Sequence, residues 1–158
     1  ETPIPSKAIM YSYIFLCFGD MASGLFSQYL KSRKKAIFTF LILSIFSILF
    51  YLFIGKQNLT MFYISCVLIG FSSGYWAVFN ITASEQFGTN LRATVTTSVP
   101  NFVRGAVPLI NIVADSFKTA GNSYIASSLY VGLIVFALAF VALYTLKDTF
   151  SKELDYVE

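Results

Sequence analysis

Apolar residues run along the chain in five long blocks. An α-helix rises about 1.5 Å per residue and the hydrocarbon core of a bilayer is about 30 Å thick, so one crossing takes roughly 20 mostly apolar residues. Five segments meet that length. Residues 8–30 are interrupted by Asp20, 36–54 and 60–83 carry no charge, 91–115 hold Arg104, Pro100 and Pro108, and 124–146 are apolar apart from a few hydroxyls. The connections are short, which makes consecutive helices antiparallel neighbours. Alternating-polarity segments about ten residues long do not occur in the sequence, so a β-barrel is not expected. The expectation is an all-α integral membrane protein, a single domain over 1–158, with five transmembrane helices and a cytoplasmic tail at 147–158.

Polarity divides the five segments into two kinds. The second and fifth contain little that lipid would oppose, whereas the first, third and fourth each carry a polar stripe. Unpartnered polar groups cost several kcal/mol in hydrocarbon, so such stripes should face protein or a water-filled cavity. In the fourth segment Thr97, Asn101, Arg104, Pro108 and Asn111 follow one another at steps of four and three and so share one helical face, which Thr94 and Asp115 extend. The third offers Ser65, Ser72, Ser73, Trp76 and Asn80; the first offers Asp20, Ser23 and Ser27. Three helices could thus wall a polar cavity that two others shield.

Depth connects two of the charges. Arg104 is twelve residues beyond Arg92, about 18 Å along a helix, and Asp20 is ten before Leu30, about 15 Å. Both fall near the midplane, where an unpaired charge costs at least about 2.5 kcal/mol. A mutual contact or a shared substrate is the economical expectation. A guanidinium is a planar fork suited to carboxylate or phosphate, which makes Arg104 the leading substrate-binding residue, with Asn101, Thr97, Asn111, Trp76 and Asn80 around it. Asp20 is either a proton-coupling group or a structural ion pair or packing hydrogen bond. Trp76 reads as packing or as a stacking platform. Gly70 and Gly74 form a G-x-x-x-G pair that close helix contact alone explains, and Cys17 and Cys66 read as apolar filler.

Composition agrees with this picture and excludes others. Hydrophobic side chains make up 56% of the 158 residues and charged ones 12%, far from the quarter charged of a soluble domain. The absence of His removes imidazole-based metal sites, and no cofactor is expected. Four of the 11 basic residues lie in Lys31–Lys35; apolar runs flank them, so they form a juxtamembrane loop and not a nucleic-acid patch. With that loop inside, Lys31, Arg33, Lys34, Lys35, Arg92, Lys147 and Lys152 are cytoplasmic, against Lys7, Lys56 and Lys118 outside, which satisfies the positive-inside rule. The first helix then starts outside, and with Glu1 in first place the chain reads as a piece of a longer protein.

The run Glu85-Gln-Phe-Gly-Thr-Asn-Leu-Arg92, followed by Ala93 and Thr94, resembles the E-x-F-P-T-x-x-R-A-T signature of sugar porters and metabolite–proton symporters in the major facilitator superfamily, with Gly88 at the proline position. Arg104-Gly105 falls where a second arginine often follows in the metabolite-symporter and organic-ion branches. After the first segment, Gly24, Gln28, Tyr29, Lys31, Arg33 and Lys34 resemble the loop signature G-x-x-x-D-R-x-G-R-R, with Gln28 at the aspartate position, Tyr29 at the first basic position and Lys31 at the second glycine position. The resemblance implies helices eight to twelve of a twelve-helix transporter, with helices eight, ten and eleven on the cavity side, a cytoplasmic charge network at Glu85 and Arg92, and a bacterial inner (plasma) membrane.

Its functional implication is secondary active transport of a small polar metabolite, with a lean toward an organic anion and with proton coupling. The partners are then the substrate, the lipid bilayer and the transporter's N-terminal helices, with no nucleic acid. An enzyme is not expected, because Asp20, Asp115 and Glu85 share no catalytic arrangement. The alternative is a structural or assembly membrane subunit of a larger complex, whose polar stripes would face a fixed partner chain.

Overall fold

The computed structural model of the protein describes residues 2–119, 121 and 123–150. Six helices form among them: α1 (Pro5–Tyr29), α2 (Arg33–Phe53), α3 (Leu59–Ser72), α4 (Trp76–Ser84), α5 (Thr89–Thr119) and α6 (Tyr124–Thr145). Of the tail at 147–158, residues 151–158, with Lys152, lie outside the described set.

Short polar side chains set three of the starts. Ser32, Asn58 and Ser123 are extended in backbone and each accepts a hydrogen bond from an amide of the first turn that follows, those of Lys35, Met61 and Ala126. Each satisfies a donor the helix itself cannot. At α1 the same end is met by Pro5, whose missing N–H would have had no helical partner. The α1–α2 turn closes on Lys31, which has a left-handed backbone (φ 49). The Ser32 amide reaches back to the Ser27 carbonyl at 3.2 Å, which completes a Schellman-type stop. A positive φ is adopted most readily by glycine, and here a lysine holds it.

The described chain divides into two compact units, residues 2–82 with 148–150, and residues 83–147. In the first, α1 packs mainly on α3, and α3 also packs on α2. The contact between α1 and α3 is built from small residues. A Cβ on Gly74 would land on the backbone of Gly19 and Asp20, and one on Gly70 would land on the backbone of Ser12. Ser23, Ser27, Ser65 and Ser72 are almost fully buried. Small side chains let helix backbones approach closely where lipid supplies no hydrophobic drive for association. Hydroxyls then join the helices: Ser12 donates to the Cys66 carbonyl at 3.2 Å, Ser44 to that of Ser72 at 3.1 Å and Ser47 to that of Leu68 at 3.3 Å. In the second unit α5 packs against α6.

Among the described residues four stretches are long and apolar enough to cross a membrane: Pro5–Tyr29, Arg33–Phe53, Leu59–Ser84 and Tyr124–Thr145. They leave large apolar side chains such as Met21, Phe46 and Leu133 exposed, at 67%, 65% and 72%. Such surfaces belong in hydrocarbon, and the chain is an all-α membrane-embedded protein. The 91–115 segment became α5, which has the length but whose Thr, Ser and Asn residues and Arg104 leave it outside that set. The 60–83 segment became two helices, because residues 73–75 form a turn between α3 and α4.

Candidate functional site

The turn between α3 and α4 leaves backbone groups unpaired at the middle of a membrane-length path, and α1 supplies partners for them. Asp20 Oδ1 accepts a hydrogen bond from the Ala77 amide, at the start of α4, at 3.2 Å. Three residues on, the Ser23 hydroxyl is within donating distance of the Gly74 carbonyl, at 2.5 Å, and of the Asp20 carbonyl on its own helix, at 3.0 Å. From the other side Ser44 of α2 donates to the Ser72 carbonyl. One acceptor and two donors therefore replace bonds that a continuous helix would have made internally. The carboxylate also lies at the positive end of the α4 dipole, where negative charge is favoured.

Two of the expected substrate-binding residues occupy α4. Trp76 opens the helix, half-buried, with its ring 5.7 Å from that of Phe79. Asn80, one turn beyond Ala77, buries its Oδ1, and that atom has no hydrogen-bond partner among the described residues. Buried polar atoms in folded proteins are nearly always partnered, by protein or by water, so an acceptor left over beside a broken helix marks a place for a donor from elsewhere.

Thr97, Asn101, Arg104 and Asn111 fall in the second unit, all on the exposed surface of α5. Thr97 is within donating distance of the Ala93 and Thr94 carbonyls, at 3.2 and 2.9 Å, and the Asn101 amide donates to the Thr97 carbonyl at 3.0 Å. These bonds reinforce the stretch around Pro100, which has no N–H to offer the carbonyl one turn back. Pro108 likewise leaves the Arg104 carbonyl without its helical donor. A groove of about 550 Å³ runs along the helix past Ser98, Asn101, Phe102, Gly105, Ala106 and Leu109. The space beside Gly105 is open, for a Cβ there would meet nothing within 4 Å. Asn101 lines this groove, and Arg104 sits next to it in sequence. Asp20 and Arg104 thus belong to different units, and the partner found for Asp20 is the Ala77 amide of its own unit.

The two signature regions are organised locally. Glu85 is buried and Arg92 half-buried; Arg92 Nη2 donates to the Phe87 carbonyl at 3.3 Å. The Gly88 carbonyl accepts the amides of Leu91 and Arg92, both at 3.1 Å, which starts α5. Gln86 Nε2 donates to the Lys147 carbonyl at 3.0 Å and so ties this loop to the end of α6. In the α1–α2 turn, Gly24 and Gln28 belong to the last part of α1, with open space around the Gly24 Cα, while Arg33 and Lys34 start α2.

Sequence reading missed the residue that holds this turn. Asp148, just beyond α6, accepts from the Ser32 hydroxyl through Oδ2 and from the Arg33 amide through Oδ1 at 3.1 Å. The Arg33 guanidinium lies 5.6 Å from the centre of the Phe150 ring, and its Nη1 donates to Ser27 Oγ at 3.4 Å. Partial burial pushes the Asp148 carboxyl up, but the Ser32 hydroxyl and the backbone amides of Phe150, Arg33 and Lys34 outweigh it and hold the group below its ordinary value of 3.8. A depressed carboxyl stabilises the fold above its unfolded value, and the contribution disappears as pH falls through the folded one. Asp148→Asn should therefore cost about 0.3–1 kcal/mol at pH 7, the usual worth of a carboxylate at a helix N-terminus. Thermal unfolding of the two proteins should converge once the pH is taken well below 3.8.

Comparison with protein-family models, with curated proteins and with solved structures finds no match to this chain.

Proposed function

We propose that the chain is the C-terminal part, helices eight to twelve, of a secondary transporter of the major facilitator type, moving a small polar metabolite by alternating access. The lean is toward an organic anion, with proton coupling through Asp20. In this reading α5 is the fifth span, covered on its polar side by a water-filled cavity, and the N-terminal helices of the transporter complete that cavity. The 31–35 turn and the C-terminus are cytoplasmic in a bacterial inner membrane, Glu85 and Arg92 belong to the cytoplasmic gate, and the chain is not an enzyme.

The observation that carries the reading is the interrupted α3–α4 path, with a carboxylate from α1 at the free amide of α4 and an unpartnered Asn80 oxygen one turn on. Transporters commonly form substrate and ion sites near the midplane from discontinuous helices, because non-helical backbone is tolerated in the bilayer only beside protein or a wet cavity. The polar face of α5 supplies the recognition chemistry, and the motif resemblance of Glu85–Arg92 and of Gly24–Lys34 supplies the family.

Single cysteines at Asn101, Pro108 and Asn111, in a background lacking Cys17 and Cys66, test the cavity. A membrane-impermeant maleimide should label all three in intact membranes. Protection of all three positions would favour the assembly-subunit alternative, in which a fixed partner chain covers the stripe.

A further inference from the structure

The groove along α5 divides by chemistry across its width. Each residue of an α-helix turns about 100° around the axis, which places its neighbours relative to Asn101. Thr97, Arg104 and Asn111 lie about 40°, 60° and 80° to one side; Gly105, Leu109 and Phe102 lie about 40°, 80° and 100° to the other. Asn101 and the second group line the groove, together with Ser98 and Ala106. Asn101 is thus the border between a cationic edge and an apolar wall. Phe102 and Leu109 make that wall, exposed at 77% and 65%. Between Asn101 and the wall lies the open space beside Gly105. Arg104 and Gly105 are consecutive, so charge and open space stand at one level of the helix.

The cationic edge offers a single charge, because Arg104 is the one charged residue in the stretch 93–114. Asn101 adds none, and its amide nitrogen donates to the Thr97 carbonyl. A second carboxylate, or the ring of hydroxyls on a sugar, would therefore lie against Phe102 and Leu109 and lose its water without gaining a partner, which is costly. An apolar body loses nothing there. The volume of about 550 Å³ is in the range of small-molecule sites. We propose that the transported anion is a monocarboxylate with an apolar body of phenyl or branched-alkyl size. Its carboxylate pairs with the Arg104 guanidinium at the Asn101 edge, and its body lies beside Gly105 against Phe102 and Leu109. The assignment rests on the transport reading and narrows its substrate to one class.

Calorimetric titration of the full-length protein in nanodiscs, with empty nanodiscs subtracted, tests it with propionate, valerate, 3-phenylpropionate, 3-phenylpropionamide and succinate. Affinity should rise about twofold to fourfold per methylene from propionate to valerate, the upper figure being that of a fully buried methylene, and rise further for 3-phenylpropionate. Succinate should bind no tighter than propionate, and the uncharged amide at least about tenfold more weakly than its acid. Gly105→Leu, whose Cβ meets no neighbour, should bring the preference for 3-phenylpropionate over propionate close to parity. Phe102→Ala should cut that preference about fivefold, and Phe46→Ala, an exposed ring on α2, should leave it unchanged. Phe102→Ala removes no buried packing and decides the matter where Gly105→Leu fails to insert. Tighter binding of succinate than of 3-phenylpropionate, or an undiminished preference in either inserted variant, overturns the proposal and leaves the transport reading standing. Binding of none of the acids overturns it together with the lean toward an anion. The transport reading itself falls only on the cysteine labelling at Asn101, Pro108 and Asn111.

Discussion

If the chain belongs to a transporter as proposed, Arg104→Ala should abolish uptake while membrane insertion and thermal stability stay close to those of the unaltered protein. Stability should be spared because Arg104 is exposed and α5 contains no buried residue, so the substitution removes no packing. Uptake should be lost for an energetic reason. A guanidinium about 18 Å along the helix from Arg92 costs at least about 2.5 kcal/mol in a bilayer unless water or an opposite charge attends it. In the transporter reading the substrate provides that charge, and its removal takes away the recognition step. Arg104→Lys is the more discriminating variant: it keeps the charge but gives up the planar fork that pairs two oxygens at once, and it should retain partial uptake with a raised KM. Uptake of a panel of small mono- and dicarboxylates into cells producing the full-length protein reads both variants. Unchanged uptake in Arg104→Ala would mean that the transported charge is read elsewhere, and the lean toward an anion would go.

The residues that were legible in the sequence are those whose structural role is local. The apolar blocks set helix positions to within a few residues, whereas the caps Ser32, Asn58 and Ser123 were a local signal that the reading of blocks and stripes passed over. The G-x-x-x-G pair at Gly70 and Gly74 was readable as close helix contact, and both glycines do lie against α1 backbone. The interruption at 73–75 was not, because an uncharged run of that length has one obvious solution in lipid, a continuous helix. What makes the alternative tolerable is a set of partners far away in sequence: Asp20 and Ser23 are more than fifty residues from the groups they satisfy. Asp148 is illegible for the same reason, being separated from Arg33 by 115 residues. The α5 stripe is intermediate. Periodicity put Thr97, Asn101, Arg104 and Asn111 on one face, but nothing in a single sequence says what covers a polar face, and a run of Thr, Ser and Asn reads equally as a cavity wall and as a partner-facing surface.

Asp20 separates structure from coupling through two substitutions with opposite expectations. Asp20→Asn keeps the side-chain shape and an oxygen that can accept from the Ala77 amide, so the α4 start should survive and thermal stability should change little. The variant cannot exchange a proton, however. If Asp20 carries the coupled proton, uptake in Asp20→Asn should no longer respond to an imposed pH gradient, while exchange of substrate across the membrane continues. Asp20→Ala removes the acceptor altogether. The Ala77 amide then faces the interior of a membrane-length helix pair without a partner, and the loss should be at least the roughly 1 kcal/mol of a missing helix cap. It should exceed that wherever packed protein, and not cavity water, faces the freed amide. Asp20→Ala should therefore unfold at a clearly lower temperature than Asp20→Asn. Uptake by Asp20→Asn that still follows the pH gradient would leave the carboxylate as the clasp that holds α4 open to α1 and nothing more. The proton pathway would then have to run through groups other than Asp20.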